Sequence, residues 1–288
     1  MIPIKYIIIT PVRNEDQFIE DTIQAVIGQT VLPEKWIIIN DGSTDRTEEI
    51  LNQYSKKYDF ICSFNRPVRK NRNFASKVHA IQEAYDQIKE SKFDVIAMLD
   101  ADITFKPNYF ECILNRLEKD NKLGVVGGAI LHNINGNYIR FTYKQDHVGG
   151  ATQIFRRQCY EEIGGYKPLQ WGGIDVVAEV SARMHGWKVM SYSDIFVLHH
   201  KKYSSRTDIN RFRYNQGKFE YSIGSHPLFV FIKCMKRIGE KPFLLGSIFR
   251  MAGYFNSWTG RMKRSVSDDF VGFIQKEQKR RMFRIFYK

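Results

Sequence analysis

No stretch of this 288-residue chain offers the roughly 18 consecutive apolar residues of a membrane-spanning helix, so no spanning segment is expected. Cysteine is scarce. Cys62, Cys112, Cys159 and Cys234 are scattered with no pair at metal-ligand spacing, which argues against a disulfide scaffold or a zinc ribbon and fits reduced thiols in a cytoplasmic protein. Met1–Lys5 runs straight into the strand-like YIIIT without an apolar leader or a small-residue cleavage site, so no signal peptide is expected. Internal repeats and low-complexity linkers are missing too, which excludes a solenoid or a string of tethered modules. The first 200 residues carry almost no net charge. Residues 201–288 hold 20 of the 44 Lys and Arg but 6 of the 31 Asp and Glu, and so carry the whole formal excess of +13. Such asymmetry points to a polyanionic partner, whether an anionic membrane surface, a nucleic acid or a phosphorylated substrate; a plain solvated basic face is the alternative.

Hydrophobic residues make up 43% of the chain, ample for a real core, and their arrangement is regular. Apolar runs at 5–10, 35–40, 60–65, 94–99 and 123–131 read as strands apolar on both faces. Between them, 15–29, 43–57, 76–88 and 108–119 have helical spacing. Strands of this kind alternating with helices predict an α/β fold with a mainly parallel sheet covered on both sides, in which ligands bind beyond the carboxyl ends of the strands. The polar clusters fall there: TPVRNE after the first strand, NDGSTD after the second, and LDAD after the fourth.

Asp100 and Asp102 end a buried apolar run, where uncompensated charge is costly. In an extended chain both carboxylates lie on one side, a donor pair suited to a hard cation such as Mn²⁺ or Mg²⁺. A simple turn bearing two Asp is the plainer reading of a lone D-x-D. In Asn40-Asp41-Gly42-Ser43, glycine permits the tight turn, and Asp41 can accept hydrogen bonds from a nucleobase or ribose. Asp41 and Ser43 can equally be caps for the helix that follows.

IIITPVRNE, IINDGSTD, AMLDADI, GGATQIFRR and WGGIDVVAEVSARMHGWKV occur in that order. Over about residues 3–200 the chain resembles the family 2 glycosyltransferases. The resemblance implies a GT-A fold, Rossmann-like with a central sheet flanked by helices, and an inverting transfer from a nucleotide sugar, with a UDP-sugar favoured. It implies a catalytic domain at 1–203, with the donor side at about 1–105 and the acceptor side at about 106–203. A basic helical extension at 204–288 follows. By the same resemblance Thr10, Pro11, Arg13, Glu15, Asp41, Asp100, Ala101 and Asp102 face the donor, with Asp102 the main metal ligand and Asp100 near the ribose or the ligand shell. Arg72 and Lys77 stand in a stretch that contacts base and phosphate, and Lys201, Lys202 and Arg206 could screen the diphosphate. Asp175 matches the general base, although Ile174 replaces its usual acidic neighbour. Glu179, one helical turn on, is read as support or as an acceptor contact. Trp171, Gly172 and Gly173 belong to the acceptor side. A histidine completes the metal shell; strand alternation lets one of His199 and His200 face the site, with His199 preferred. Arg13 replaces an aromatic and could stack on the base or pair with Asp41.

Two further stripes lie in the basic segment. Leu244, Ile248, Met251 and Phe255 form one, and Phe270, Ile274, Met282 and Ile285 the other, each with Lys and Arg alongside. Basic amphipathic helices of this kind lie in a membrane interface or pack on the catalytic domain. The favoured expectation is a peripheral enzyme at the inner face of the cell membrane with a glycan or polyprenyl-linked acceptor. A nucleic-acid-binding protein using the basic tail and a nucleotidyltransferase with the same metal site are the alternatives.

Overall fold

The computed structural model describes residues 4–68, 75–140, 145–201, 209–240 and 242–286. Arg72 and Arg206 lie outside the described residues. Two compact units are present: Met1–Pro168 with Ile174–Ser204, and Leu169–Gly173 with Ser205–Lys288.

The first unit is built on one sheet. In chain order its elements are β1 (Tyr6–Val12), α1 (Ile19–Ile27), β2 (Lys35–Asn40), α2 (Thr47–Lys57), β3 (Ile61–Asn65), α3 (Ala75–Asp86), β4 (Val95–Leu99), β5 (Ile103–Phe105), α4 (Tyr109–Lys119), β6 (Leu123–Ile134), β7 (Asn137–Arg140), β8 (Thr152–Arg156), α5 (Arg157–Glu162), α6 (Ile174–Met184) and β9 (Lys188–His199). The strands run β3-β2-β1-β4-β8-β6-β9-β5, with β7 beside β6. β3, β2, β1 and β4 are parallel. Beyond β4 the sheet is mixed: β8 lies antiparallel between β4 and β6, β6 and β9 are parallel, and β5 is antiparallel to β9.

Side-chain alternation along the strands feeds two cores. Tyr6, Ile8, Trp36, Ile38 and Ala97 join α1, α2 and α4 on one face. Ile7, Ile9, Ile37, Ile39 and Ile96 join α3, α5 and α6 on the other. Every residue of β4 is buried, as expected for a strand covered on both faces.

The second unit is helical: α7 (Ile209–Ser222), α8 (Pro227–Lys236), α9 (Leu245–Thr259) and α10 (Asp268–Phe286). Pro227 occupies the start of α8, where its missing N–H costs nothing. Gly217 and Gly253 let α7 and α9 meet closely: a Cβ on Gly253 would lie 2.0 Å from the Tyr214 carbonyl oxygen, and one on Gly217 2.0 Å from that of Arg250. The stripe on α10 is turned inward, with Phe270, Ile274 and Met282 buried. Gln275 and Gln278 of the same helix bond to the 224–226 turn. Among these described residues the stripe packs within its own unit, so α10 does not offer it to a membrane. No helix among the described residues is long and apolar enough to cross a bilayer.

Candidate active site

Three loops meet at the carboxyl ends of β1, β2 and β4. The first two brace each other. The Asn14 N–H donates to Ser43 Oγ at 2.9 Å, the Thr44 N–H to Asn14 Oδ1 at 2.8 Å, the Glu15 N–H to Thr47 Oγ1 at 2.9 Å, and the Asp16 N–H to Asp45 Oδ2 at 3.1 Å. Much of the polar character of TPVRNE and NDGSTD therefore goes into holding the loops together. Ser43 is not the cap of α2, which begins four residues later at Thr47. Gly42 is required twice over: its φ is +68°, and a Cβ there would lie 2.7 Å from Val68 Cα.

Pro11, Val12, Arg13, Glu15, Lys77, Asp100, Ala101 and Asp102 line a cavity of about 210 Å³. Ligand pockets for drug-sized molecules run from about 300 Å³ upward, so this space is smaller than a whole small-molecule site. Thr10 is not in the lining; it is fully buried and its Oγ1 accepts the indole N–H of Trp36 at 2.9 Å. Val12 is an addition.

Asp100, Asp102 and His199 form the one group of metal-ligating side chains among the described residues, each offering an atom within 4.8 Å of the others. Strand pairing assembles it. In the antiparallel β5–β9 ladder, Ile103 sits opposite His199, and the His200 N–H donates to the Asp102 carbonyl at 2.9 Å. His199 Nε2 stands 3.4 Å from Asp102 Oδ2. His200 is engaged elsewhere, through Thr104 Oγ1 at 2.8 Å and the Tyr138 hydroxyl at 2.5 Å, which removes it from the metal set. His132, unforeseen in the sequence, pairs with His199 across β6 and β9, and the two rings lie edge to face with centroids 5.3 Å apart. Burial, then the neighbouring His199, pulls the His132 imidazole down to about 4.

Acidic and basic groups meet in this centre. Burial, and after it the Asp100 carboxylate, raises the carboxyl of Asp102 above its ordinary value. Burial also raises Glu15, and both aspartates add to the effect. Beside these three carboxylates stand the ammonium groups of Lys77, 2.5 Å from Asp100, and Lys201, 2.5 Å from Glu15, and Arg13 lines the same cavity. Burial works against the Lys77 ammonium, yet Asp100 and more weakly Asp175 and Asp102 keep it above its ordinary value. Glu15 Oε2 and His199 Nδ1 are buried without a hydrogen-bond partner among the described residues. Two hard carboxylates and an imidazole, brought together beside this pocket, fit a small divalent cation.

Asp41 does not meet Arg13. Its Oδ1 accepts from Arg66 at 3.0 Å, and both side chains are nearly inaccessible; Arg66 also reaches Glu83 at 3.2 Å. Arg66 was missed in the sequence because nothing local distinguishes it from a surface arginine.

Asp175 opens α6 half-buried, with Gly150 so near that a Cβ there would lie 3.2 Å from its Oδ2. Glu179 is different. It is fully enclosed and accepts from the Val148 N–H at 2.6 Å, Gln153 Nε2 at 3.1 Å and the imidazole of His147 at 3.0 Å. Its oxygens hold the 147–153 segment together. Trp171, Gly172 and Gly173 pack within the second unit. Lys218 lies over the Trp171 ring at 4.3 Å, and Phe219 fills the space a Cβ on Gly173 would need.

Residues 7–173, more than half of the chain, match Glycosyl transferase family 2. The chain belongs to that family. Similar proteins agree. "Probable glycosyltransferase YdaM" of Bacillus subtilis (strain 168) is 31% identical over 185 residues, covering 56% of this chain and 43% of that protein. The chain spans less than half the length of the curated relatives it matches. The fold resembles the mannosyltransferase PcManGT from Pyrobaculum calidifontis in complex with GDP-Man and Mn²⁺, with a TM-score of 0.58 at 13% identity over 96% of this chain and 80% of that one. It also resembles S. aureus TarS 1-349 in complex with UDP-GlcNAc, with a TM-score of 0.56 at 12% identity over 89% and 73%. The fold of this family 2 chain is thus the GT-A fold.

Proposed function

We propose that the chain transfers a glycosyl group from a nucleoside-diphosphate sugar to a hydroxyl of a glycan or lipid-linked acceptor, with inversion in one displacement. The observation that carries this reading is the meeting of Asp100, Asp102 and His199 beside the pocket at the ends of β1 and β4, in a chain of glycosyl transferase family 2. Residues 1–105 then form the donor side and 106–203 most of the acceptor side, with 204–288 as a basic extension. The similar proteins bind both a GDP-sugar and a UDP-sugar, and a UDP-sugar remains favoured on the motif pattern. Membership of the family displaces the nucleic-acid-binding and nucleotidyltransferase readings.

In this reading Asp102, Asp100 and His199 hold a divalent cation, Mn²⁺ or Mg²⁺. Held by these three residues, a cation would supply positive charge to offset the negative charge that grows on the diphosphate as its bond to the sugar breaks. Lys77 and Lys201, already drawn to the carboxylates, are placed to meet the same charge. Asp175 is the base. It lies in the first turn of α6. As the acceptor oxygen bonds to the anomeric carbon, Asp175 takes the hydroxyl proton and the nucleoside diphosphate departs with the bonding pair. In this reading Asp41, whose carboxylate is held by Arg66 at 3.0 Å, contacts the donor base. A lipid-borne acceptor at an anionic membrane surface accords with the charge of residues 201–288.

Transfer assays with a panel of UDP- and GDP-sugars and Mn²⁺ test the reading. Asp175→Asn lowers kcat by about a thousandfold while donor binding, read by calorimetry, is kept. Asp102→Ala abolishes cation-dependent donor binding. Wild-type protein that binds no nucleotide sugar with either cation, or an Asp175→Asn variant with full turnover, would overturn it.

A further inference from the structure

Helix α9 buries a largely small and polar side. Its buried face carries Gly246, Ser247, Arg250, Gly253, Tyr254 and Ser257, whereas Ile248, Phe255 and Trp258 point outward. A helix that meets water on its outer side has the opposite distribution. The inner polarity is satisfied within the unit: Arg250 donates to Gln216, and the Ser247 hydroxyl donates to the Cys234 carbonyl at 2.7 Å. Nearby, Glu220 accepts from Lys233 at 2.5 Å and from Ser225 at 2.7 Å. Helix α8 has an apolar side of the same kind. Val230 and Cys234 are buried, while Leu228, Phe231 and Met235 at i, i+3 and i+7 are about half exposed. Between the two helices Phe243, Leu244 and Leu245 are exposed in succession, and Leu244 takes a φ of 59°, a region that branched side chains seldom enter. Nine large apolar side chains, 41–63% exposed, thus stand within one helical hairpin. Surface apolar residues scattered singly need no explanation, but a concentration of this kind marks a binding surface.

The charge around it names the partner. From residue 227 to residue 264 there is a single acid, Glu240, and Arg213 holds it at 3.1 Å. Lys236, Arg261, Lys263 and Arg264 are exposed. A groove of about 570 Å³ lined by Tyr221, Phe255, Trp258, Thr259 and Arg261 combines an aromatic wall with a cation. Basic residues at the margins of an apolar face would repel a second copy of the same face, whereas they complement an acidic bilayer.

We propose that the outward sides of α8 and α9, with the turn between them, form an interfacial docking surface for an anionic phospholipid bilayer. The apolar side chains enter the headgroup–acyl boundary, and Lys236, Arg261, Lys263 and Arg264 contact lipid phosphates. This rests on the proposed lipid-borne acceptor for its purpose alone; the surface itself is independent of catalysis.

Flotation of the full chain with vesicles of phosphatidylglycerol and phosphatidylcholine in equal parts, or of phosphatidylcholine alone, tests it. Binding is expected to the acidic vesicles at low salt and to weaken at high salt. The double variant Phe231→Ser/Trp258→Ser should float at least tenfold less well while keeping donor-induced thermal stabilisation. Brominated acyl chains should quench part of the tryptophan fluorescence of the wild type, and Trp258→Phe should remove that quenched part while still floating. This second readout decides the matter even if the double variant misfolds. The proposal falls if the wild type ignores acidic vesicles at low salt, if the double variant floats as well as the wild type, or if brominated lipid leaves Trp258 unquenched. It falls equally if light scattering shows a wild-type dimer that the double variant converts to monomer, since the face then belongs to a second copy. Vesicle binding with no donor binding would instead fault the catalytic reading and leave this one standing.

Discussion

Arg66 and Asp41 are a buried ion pair whose partners cannot be exchanged for water without cost. Removal of the guanidinium in Arg66→Ala leaves a carboxylate in a poorly solvated place, and a loss of about 3 kcal/mol in urea unfolding is expected. The His147–Glu179 pair makes a pH signature. Burial opposes the imidazolium of His147, but the bond to Glu179, with Asp175 and Asp146 adding to it, raises its value above 6.5. Glu179 is itself raised, by burial. A histidine raised in the folded state contributes fully below its unfolded value and loses that contribution as pH rises through the folded one. A carboxyl raised by burial changes in the same direction, so the two reinforce each other. Thermal melting measured against pH should therefore decline on the alkaline side of 6.5, and His147→Gln, which keeps a donor to Glu179, should flatten that decline.

At the scale of elements, the parallel strands and their helices follow from contiguous patterns. The apolar runs of β1, β2 and β4 are continuous because both sheet faces are covered, and α1 and α4 have a 3.6-residue spacing that local inspection detects. The three-residue β5 has too short a pattern to read, yet its pairing with β9 is what carries His199 to Asp102. Between the helices of the second unit, close approach depends on two missing side chains. Gly253→Ala would drive a Cβ into the Tyr214 carbonyl, separate α7 from α9 and cost about 3 kcal/mol, visible as a lowered thermal midpoint with no change in donor affinity.

For the molecule as a whole, ligand linkage gives a direct reading of the proposed centre. A nucleotide sugar with Mn²⁺ at a hundredfold excess over its Kd should stabilise the native protein by about 2.7 kcal/mol, and EDTA should abolish the gain in thermal midpoint. Asp102→Asn should show neither effect. The alternation of strand and helix, the loops at the strand ends and the charge gradient along the chain were all legible in the residues, because periodicity, turn chemistry and charge are properties of neighbours in sequence. The capture of Asp41 by Arg66 and the bonding of Glu179 to the 147–153 segment were not. Each depends on which strand pairs with which and on what lies opposite a side chain after folding. The same holds for the two basic stripes, which look alike as sequence: Phe270, Ile274 and Met282 of α10 are buried, while Leu244, Ile248 and Phe255 of the other stripe are exposed and Met251 packs against the buried Tyr254. Amphipathic spacing records that a helix has two different faces; packing against its neighbours determines which of them is left to the surroundings.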